Sequence, residues 1–167
     1  IPLKLENSKY IPKKLIVRGE VFLNKKELER INREQTKKGG KLYANPRNVA
    51  AGAIRQLAPS IAASRKLDFY AYGMIGELEK FPTHDHEYAA LRSFGIKTNP
   101  HGIVAKTTDQ IFKFQEKWEK EREKLAYEID GSVVSINDRK LFERAGVIGK
   151  SPRGAVAYKF SPKEAQT

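Results

Sequence analysis

Three short stretches put charged residues where a strand would otherwise alternate core and solvent. The first is Arg18-Gly19-Glu20 and the second Glu128-Ile129-Asp130-Gly131. The third is a lone Lys159 inside Ala155-Val156-Ala157-Tyr158-Lys159-Phe160. Residues two apart on a strand share a face, so Arg18 and Glu20 are expected to point the same way, as are Glu128 and Asp130. Lys159 shares its face with Ala155 and Ala157, which are small enough to leave room for a ligand. Two readings fit. Antiparallel sheets wet one face, and these can be ordinary solvent-facing positions. Alternatively, two acids and a lysine converging in one cleft suit a nucleotide with its metal ion. Carboxylates there hold Mg²⁺ or ribose hydroxyls, and lysine meets phosphate.

The densest candidate segment runs from Tyr43 through Asn45-Pro46-Arg47-Asn48 to Arg55 and Gln56. Pro46 fits the start of a helix. Arg47 then sits beside a helix N-terminus, where free N–H groups and the macrodipole favour an anion. Arg55 follows eight residues later on nearly the same face. A tightly packed helix with two surface arginines and a guanidinium fork for phosphate are both compatible with this pattern.

The elements that must position these residues alternate irregularly. Leu15 to Leu23 reads as a strand, as do Leu67 to Met74, Ile129 to Ile136 and Ala155 to Phe160. Asn24 with Glu27 makes a capping box for a helix that buries Leu28 and Ile31 and stops near Gly39-Gly40. Further helices are expected over about 48–57, about 87–94, from a Thr108 cap through Ile111 and Trp118, and over 139–144. Residues 1–13 form an extended lead-in. Without a regular βαβ rhythm, the expectation is an α+β protein with mainly antiparallel sheets flanked by helices, in one domain over 1–167.

Composition sets the outer bounds. The 167 residues carry 32 Lys and Arg against 20 Asp and Glu, a net charge of +12 that favours polyanions. There is no cysteine, so disulfides, thiolate metal sites and a cysteine nucleophile are all excluded, and a reducing cytoplasm is compatible. No apolar run approaches the roughly 18 residues that span a bilayer. Among the three histidines, His84 and His86 are read as an exposed helix start rather than a metal pair.

Taken in order, the Arg18-Gly19-Glu20-Val21-Phe22 strand, the Tyr43 to Leu57 block, Phe69-Tyr70-Ala71-Tyr72-Gly73, Tyr127-Glu128-Ile129-Asp130-Gly131 and Ala155 to Phe160 resemble the adenylation domain of bacterial NAD-dependent DNA ligases. The resemblance spans nearly the whole chain. It implies the fold of the covalent nucleotidyltransferases (DNA ligases and mRNA capping enzymes). It also implies a protein that seals nicks in duplex DNA through a lysyl-AMP and a DNA-adenylate intermediate, releasing nicotinamide mononucleotide. NAD and Mg²⁺ are the implied cofactors, nicked double-stranded DNA the partner, and a cytoplasmic monomer the setting, with no membrane involved. Carried over residue by residue, Glu20 contacts the AMP ribose and Tyr72 stacks on adenine. Arg47 and Arg55 lie on the phosphate and DNA side. Asp130 helps place the metal, and Lys159 assists at the α-phosphate. Arg122 matches a further cofactor-binding arginine.

Three departures accompany the resemblance. The family's nucleophile lies in Lys-x-Asp-Gly, and that motif occurs nowhere in these residues. The chain therefore reads as a fragment that cannot adenylate itself. Ser135 stands where the family has a lysine, five residues after the metal-side aspartate, and Gly154 stands where it has a tryptophan. These two favour an alternative, a non-catalytic remnant that binds nucleotide or DNA. A nucleoside-triphosphate-dependent polynucleotide ligase is the other alternative, but it lacks the Asn-Pro-Arg-Asn block.

Overall fold

Branched and aromatic residues at alternate positions give the first strand one apolar face, and that face organises the molecule. The structure, a computed structural model, describes residues 2–6, 11–76 and 79–161. Strand β1 (Leu15–Leu23) pairs antiparallel with β2 (Leu67–Gly76). Helix α1 (Lys25–Lys37) follows β1 directly, and α2 (Pro46–Ile54) and α3 (Pro59–Ser64) lead into β2. Helix α4 (His84–Ser93) and α5 (Thr108–Glu121) come next, followed by a single 3-10 turn at Arg122–Lys124. Strand β3 (Gly131–Ser135) then leads to α6 (Arg139–Ala145), and the short β4 (Val147–Ile148) and β5 (Ser151–Pro152) form a two-residue ladder. Strand β6 (Ala155–Lys159) returns antiparallel to β3. Small antiparallel sheets among helices match the α+β expectation.

Two apolar cores lie side by side against one face of the β1–β2 sheet. Ala71 and Met74 pack with Leu91 and Phe94 of the α4 region, covered further by Leu15, Val17 and Phe69. Leu23 packs with Ile31 of α1 and with Val49 and Ala50 of α2. Fully buried side chains such as Leu91 and Phe94 each contribute roughly 1.5–3 kcal/mol of transfer free energy.

Several boundaries differ from expectation for local reasons. Asn24 does occupy the α1 N-cap, but its side chain makes no capping bond. Glu27 is buried, and its carboxylate accepts from Arg30 and from the Lys66 backbone N–H, so the capping box is not closed. Helix α2 starts at Pro46, the residue that fits a helix start, and the Asn45 side chain caps it by accepting from the N–H groups of Arg47 and Asn48. It stops at Ile54, short of Leu57, and α3, which was not expected, begins at Pro59. A proline disfavours helical backbone at the residue before it, which separates the two helices. The α5 cap is Thr107, whose hydroxyl accepts from Gln110 N–H, and not Thr108. His86 is exposed as expected for a helix start. His84 is half-buried instead, with its ring edge-on to Phe142 at 5.0 Å. The lead-in expected over 1–13 falls partly on residues 1 and 7–10, which lie outside the described residues.

Candidate functional site

With one face of the β1–β2 sheet committed to the cores, the other is free to carry polar groups. Arg18 and Glu20 both project from that open face, as their spacing predicts. Phe22 and Tyr70 share it at 4.9 Å between ring centroids, and Tyr127 packs against both at 5.0 and 5.6 Å. Lys25 N–H donates to the Ala126 carbonyl at 2.8 Å, and Lys25 Nζ donates to the Glu123 carbonyl. These contacts fix the segment after α5 to the end of β1, three residues before Asp130.

Asp130 lies just ahead of β3, which is shorter than expected; its carbonyl still accepts from the Phe160 N–H at 2.9 Å, whereas Glu128 lies outside the strand. The Tyr127 anchor accounts for this, because it draws residues 126–127 onto the first sheet. Glu128 makes no ion pair among the described residues. Asp130 meets Lys159 Nζ at 2.7 Å. Register explains the meeting, since Gly131 pairs with Lys159 across the β3–β6 ladder. A Cβ on Gly131 would come within 2.4 Å of the Tyr158 carbonyl oxygen, so the close approach of β6 requires glycine there.

Arg47, in the first turn of α2, places a guanidinium nitrogen 3.8 Å from Glu20 Oε1. The Lys159 ammonium hydrogen-bonded to Asp130 holds that carboxyl below its usual range, with partial burial opposing and Arg47 adding a smaller pull. Arg47 thus lies within electrostatic reach of both acids. The four residues come from β1, α2, the lead into β3, and β6. All four side chains remain largely exposed. Exposed pairs of this kind stabilise a fold by only about 0–1 kcal/mol, so the cluster is not a folding device.

Tyr72 sits on a β-bulge. Arg18 pairs with Gly73 and Gly19 with Ala71, which leaves Tyr72 as the extra residue, and its ring is half exposed. The Arg18 guanidinium lies 5.7 Å from the Tyr72 ring centroid, and the Tyr88 hydroxyl donates to the Tyr72 carbonyl at 3.2 Å. Arg122 lies 5.4 Å over the Phe160 ring, one residue beyond Lys159. Arg55 caps the far end of α2 and makes no ion pair among the described residues. Eight residues of helix put it roughly 12 Å along the axis from Arg47. The structure therefore gathers Glu20, Arg47, Asp130 and Lys159, and leaves Arg55 apart.

The two substituted positions also have definite settings. Ser135 is exposed and pairs with Ala155 at the far end of the same open face as Lys159. Gly154 is buried under Phe142, whose ring would meet an added Cβ at 2.5 Å. Sequence reasoning missed Arg18, Tyr88 and Tyr127 as supports. Tyr127 had a signal, an aromatic directly before the acidic segment, whereas Tyr88 is visible only through its tertiary contact.

The family model for the NAD-dependent DNA ligase adenylation domain matches residues 1–163. Similar proteins are each described as DNA ligase. That of Natranaerobius thermophilus is 40% identical over 168 residues, covering all of this chain and 25% of the relative. That of Thermomicrobium roseum is 42% identical over 171 residues, again covering all of this chain and 25% of the relative. The Rubrobacter xylanophilus protein is 41% identical over 150 residues, covering 90% of this chain and 22% of its own length. The chain spans about a quarter of the length of the curated relatives it matches.

Proposed function

The chain belongs to the NAD-dependent DNA ligase adenylation domain family, and on that footing we propose that its cleft holds the AMP moiety of NAD during nick sealing. The proposed fold is that of the covalent nucleotidyltransferases, with residues 1–167 forming part of one adenylation domain. The observation that carries the reading is that four separate parts of the chain supply two neighbouring ion pairs, Glu20 with Arg47 and Asp130 with Lys159, with Arg47 within electrostatic reach of Asp130.

Each residue has work suited to its chemistry. The Glu20 carboxylate accepts hydrogen bonds from ribose hydroxyls, and the half-exposed Tyr72 ring offers a face to adenine. Arg47 and Lys159 neutralise the two acids in the free protein and turn to phosphate oxygens when nucleotide enters. Lys159 then stabilises negative charge that develops at the α-phosphate. Arg122 serves the cofactor as well, and Arg47 and Arg55 serve DNA.

Among the described residues no group of three or more His, Asp or Glu gathers around a metal position. Mg²⁺ keeps several waters and takes one or two carboxylates plus substrate phosphates, so Asp130 alone fits an ion that arrives with the nucleotide. Such an ion neutralises charge on the phosphate oxygens.

The parent protein is proposed to be an enzyme that forms a lysyl-AMP, releases nicotinamide mononucleotide and passes AMP to the 5′-phosphate of a nick in duplex DNA. It is proposed to act as a cytoplasmic monomer. No helix among the described residues is long and apolar enough to cross a membrane.

Because these residues contain no Lys-x-Asp-Gly, they should bind NAD without being modified by it. Incubation with NAD and Mg²⁺ is expected to leave the mass unchanged while shifting the amide NMR signals of Glu20, Arg47, Asp130 and Lys159. A mass gain of one AMP would overturn the first expectation. Shifts confined to other surfaces would overturn the cleft.

A further inference from the structure

A ring that carries a ligand must be held in one orientation, and Tyr72 has little in the ladder to hold it. As the extra residue of the bulge it has no residue opposite on β1. Its ring is half exposed, so core packing does not fix it from both sides. Two groups take over that task. The Tyr88 hydroxyl, reaching from α4, fixes the Tyr72 backbone carbonyl. The Arg18 guanidinium lies over the ring itself, 5.7 Å from the centroid.

Arg18 is free to do this because of its neighbour. It shares the open face of β1 with Glu20, two residues on, and that carboxylate is the natural partner for it. Glu20 instead lies 3.8 Å from Arg47. Arg18 makes no ion pair among the described residues, and its one described partner is the Tyr72 ring. A guanidinium suits that position, because its flat, weakly hydrated surface stacks on aromatic faces where an ammonium does so less fully.

We propose that Arg18 is a positioning residue that closes one face of the Tyr72 ring and holds the other open to a purine base. The base, ring and guanidinium then stack in that order. The proposal rests on the reading of Tyr72 as the adenine platform. In this arrangement Arg18 acts through Tyr72, touches neither phosphate nor ribose, and strengthens binding without taking part in transfer.

Titration of the chain with adenosine and with AMP, followed by NMR shifts, separates the possibilities. Arg18→Ala is expected to weaken both ligands about threefold, in line with exposed cation–π contacts. Arg18→Lys should recover most of that loss. Tyr72→Ala is expected to cost about tenfold, as removal of a stacking ring does, and adding Arg18→Ala to it should cost nothing more. In the ligand-free chain, Arg18→Ala should also move the Tyr72 ring signals while leaving thermal unfolding unchanged. A loss confined to AMP would make Arg18 a phosphate ligand and overturn the proposal, as would full additivity with Tyr72→Ala. Unchanged adenosine affinity in Tyr72→Ala would instead remove the platform reading itself.

Discussion

The β1–β2 and β3–β6 sheets have the same two-stranded antiparallel form but are held together in different ways. The first has apolar cores against it, and among the described residues most buried hydrophobic side chains belong to it, to α1, α2 and α4, or to the turns on either side of α4. The second turns Val133 and Val156 outward and buries little beyond Phe160. Its link to α5 combines an edge-on contact of Phe112 with Tyr158, 6.4 Å between ring centroids, with buried hydrogen bonds. Gln115 is buried and donates from Nε2 to the Tyr158 carbonyl at 3.0 Å, while its Oε1 accepts from the Ser132 hydroxyl. The candidate site lies where the two regions meet. Glu20 and Arg47 belong to the packed region, and Asp130 and Lys159 to the lightly packed one. A cleft built this way has one fixed wall and one wall whose position depends on a few directional bonds.

The largest effect should come from the fixed wall. Leu91 is fully buried, and Leu91→Ala leaves a cavity in the first core at a cost of about 2–5 kcal/mol. Val133, equally apolar but exposed on β3, should tolerate alanine within about 0.5 kcal/mol. Urea unfolding of the two variants reads the contrast directly. Equal losses at the two positions would mean that the β3 face is covered in solution and that the regions are not different in kind.

A middle-sized effect is expected at the polar part of that link. Gln115→Ala removes a donor and an acceptor together and leaves the Ser132 hydroxyl and Tyr158 carbonyl to find water, at about 1–3 kcal/mol. The loss should be local. Hydrogen exchange at Ser132 to Val134 and Val156 to Tyr158 is expected to accelerate, with Val17 and Ala71 unchanged. Acceleration across both sheets would show one cooperative unit and dissolve the comparison.

The packed region was the legible one. The strand over Leu15 to Leu23 and the helix burying Ile31 followed from periodicity, and Pro46 marked the α2 start through its fixed backbone angle. The charged residues at 20, 130 and 159 stood out because each interrupts an apolar strand pattern, and Arg47 because it opens a helix. What the sequence left open depends on contacts distant in the chain. The bulge that frees Tyr72 is a property of the β1–β2 register, and β3 is shortened by Tyr127 packing on Phe22 and Tyr70. Gly154 reads in isolation as a loss of packing, but Phe142 from α6 occupies the space above it. Arg139 joins buried Glu87 at 2.8 Å, a link between α4 and α6 that no local pattern announces.

The smallest effect should appear at the joint between the regions. Asp85, at the start of α4, accepts from Thr83 at 2.6 Å and from the Asn137 side chain at 2.7 Å, and its own N–H donates to Asn137 Oδ1. The Thr83 and Asn137 hydrogen bonds hold its carboxyl below the usual aspartate range against the opposing effect of partial burial. A depressed folded-state pKa means the contribution is complete above the unfolded value of about 3.9 and is lost as pH falls through the folded value. The group is exposed, so the loss should stay below about 1 kcal/mol. Glu27 and Asp68 are also depressed and titrate in the same acid range, which makes global stability a poor reporter. Exchange at the His84 and Asp85 amides is the better one, because their N–H groups donate to the Asn137 carbonyl and side chain. Those amides should exchange with less protection at pH 3 than at pH 6, after correction for intrinsic rates, and Asp85→Asn should remove most of that difference. If protection at His84 and Asp85 stays level while Gln115→Ala still loosens β3 and β6, the lightly packed wall moves by its own internal bonds and the joint does not control it.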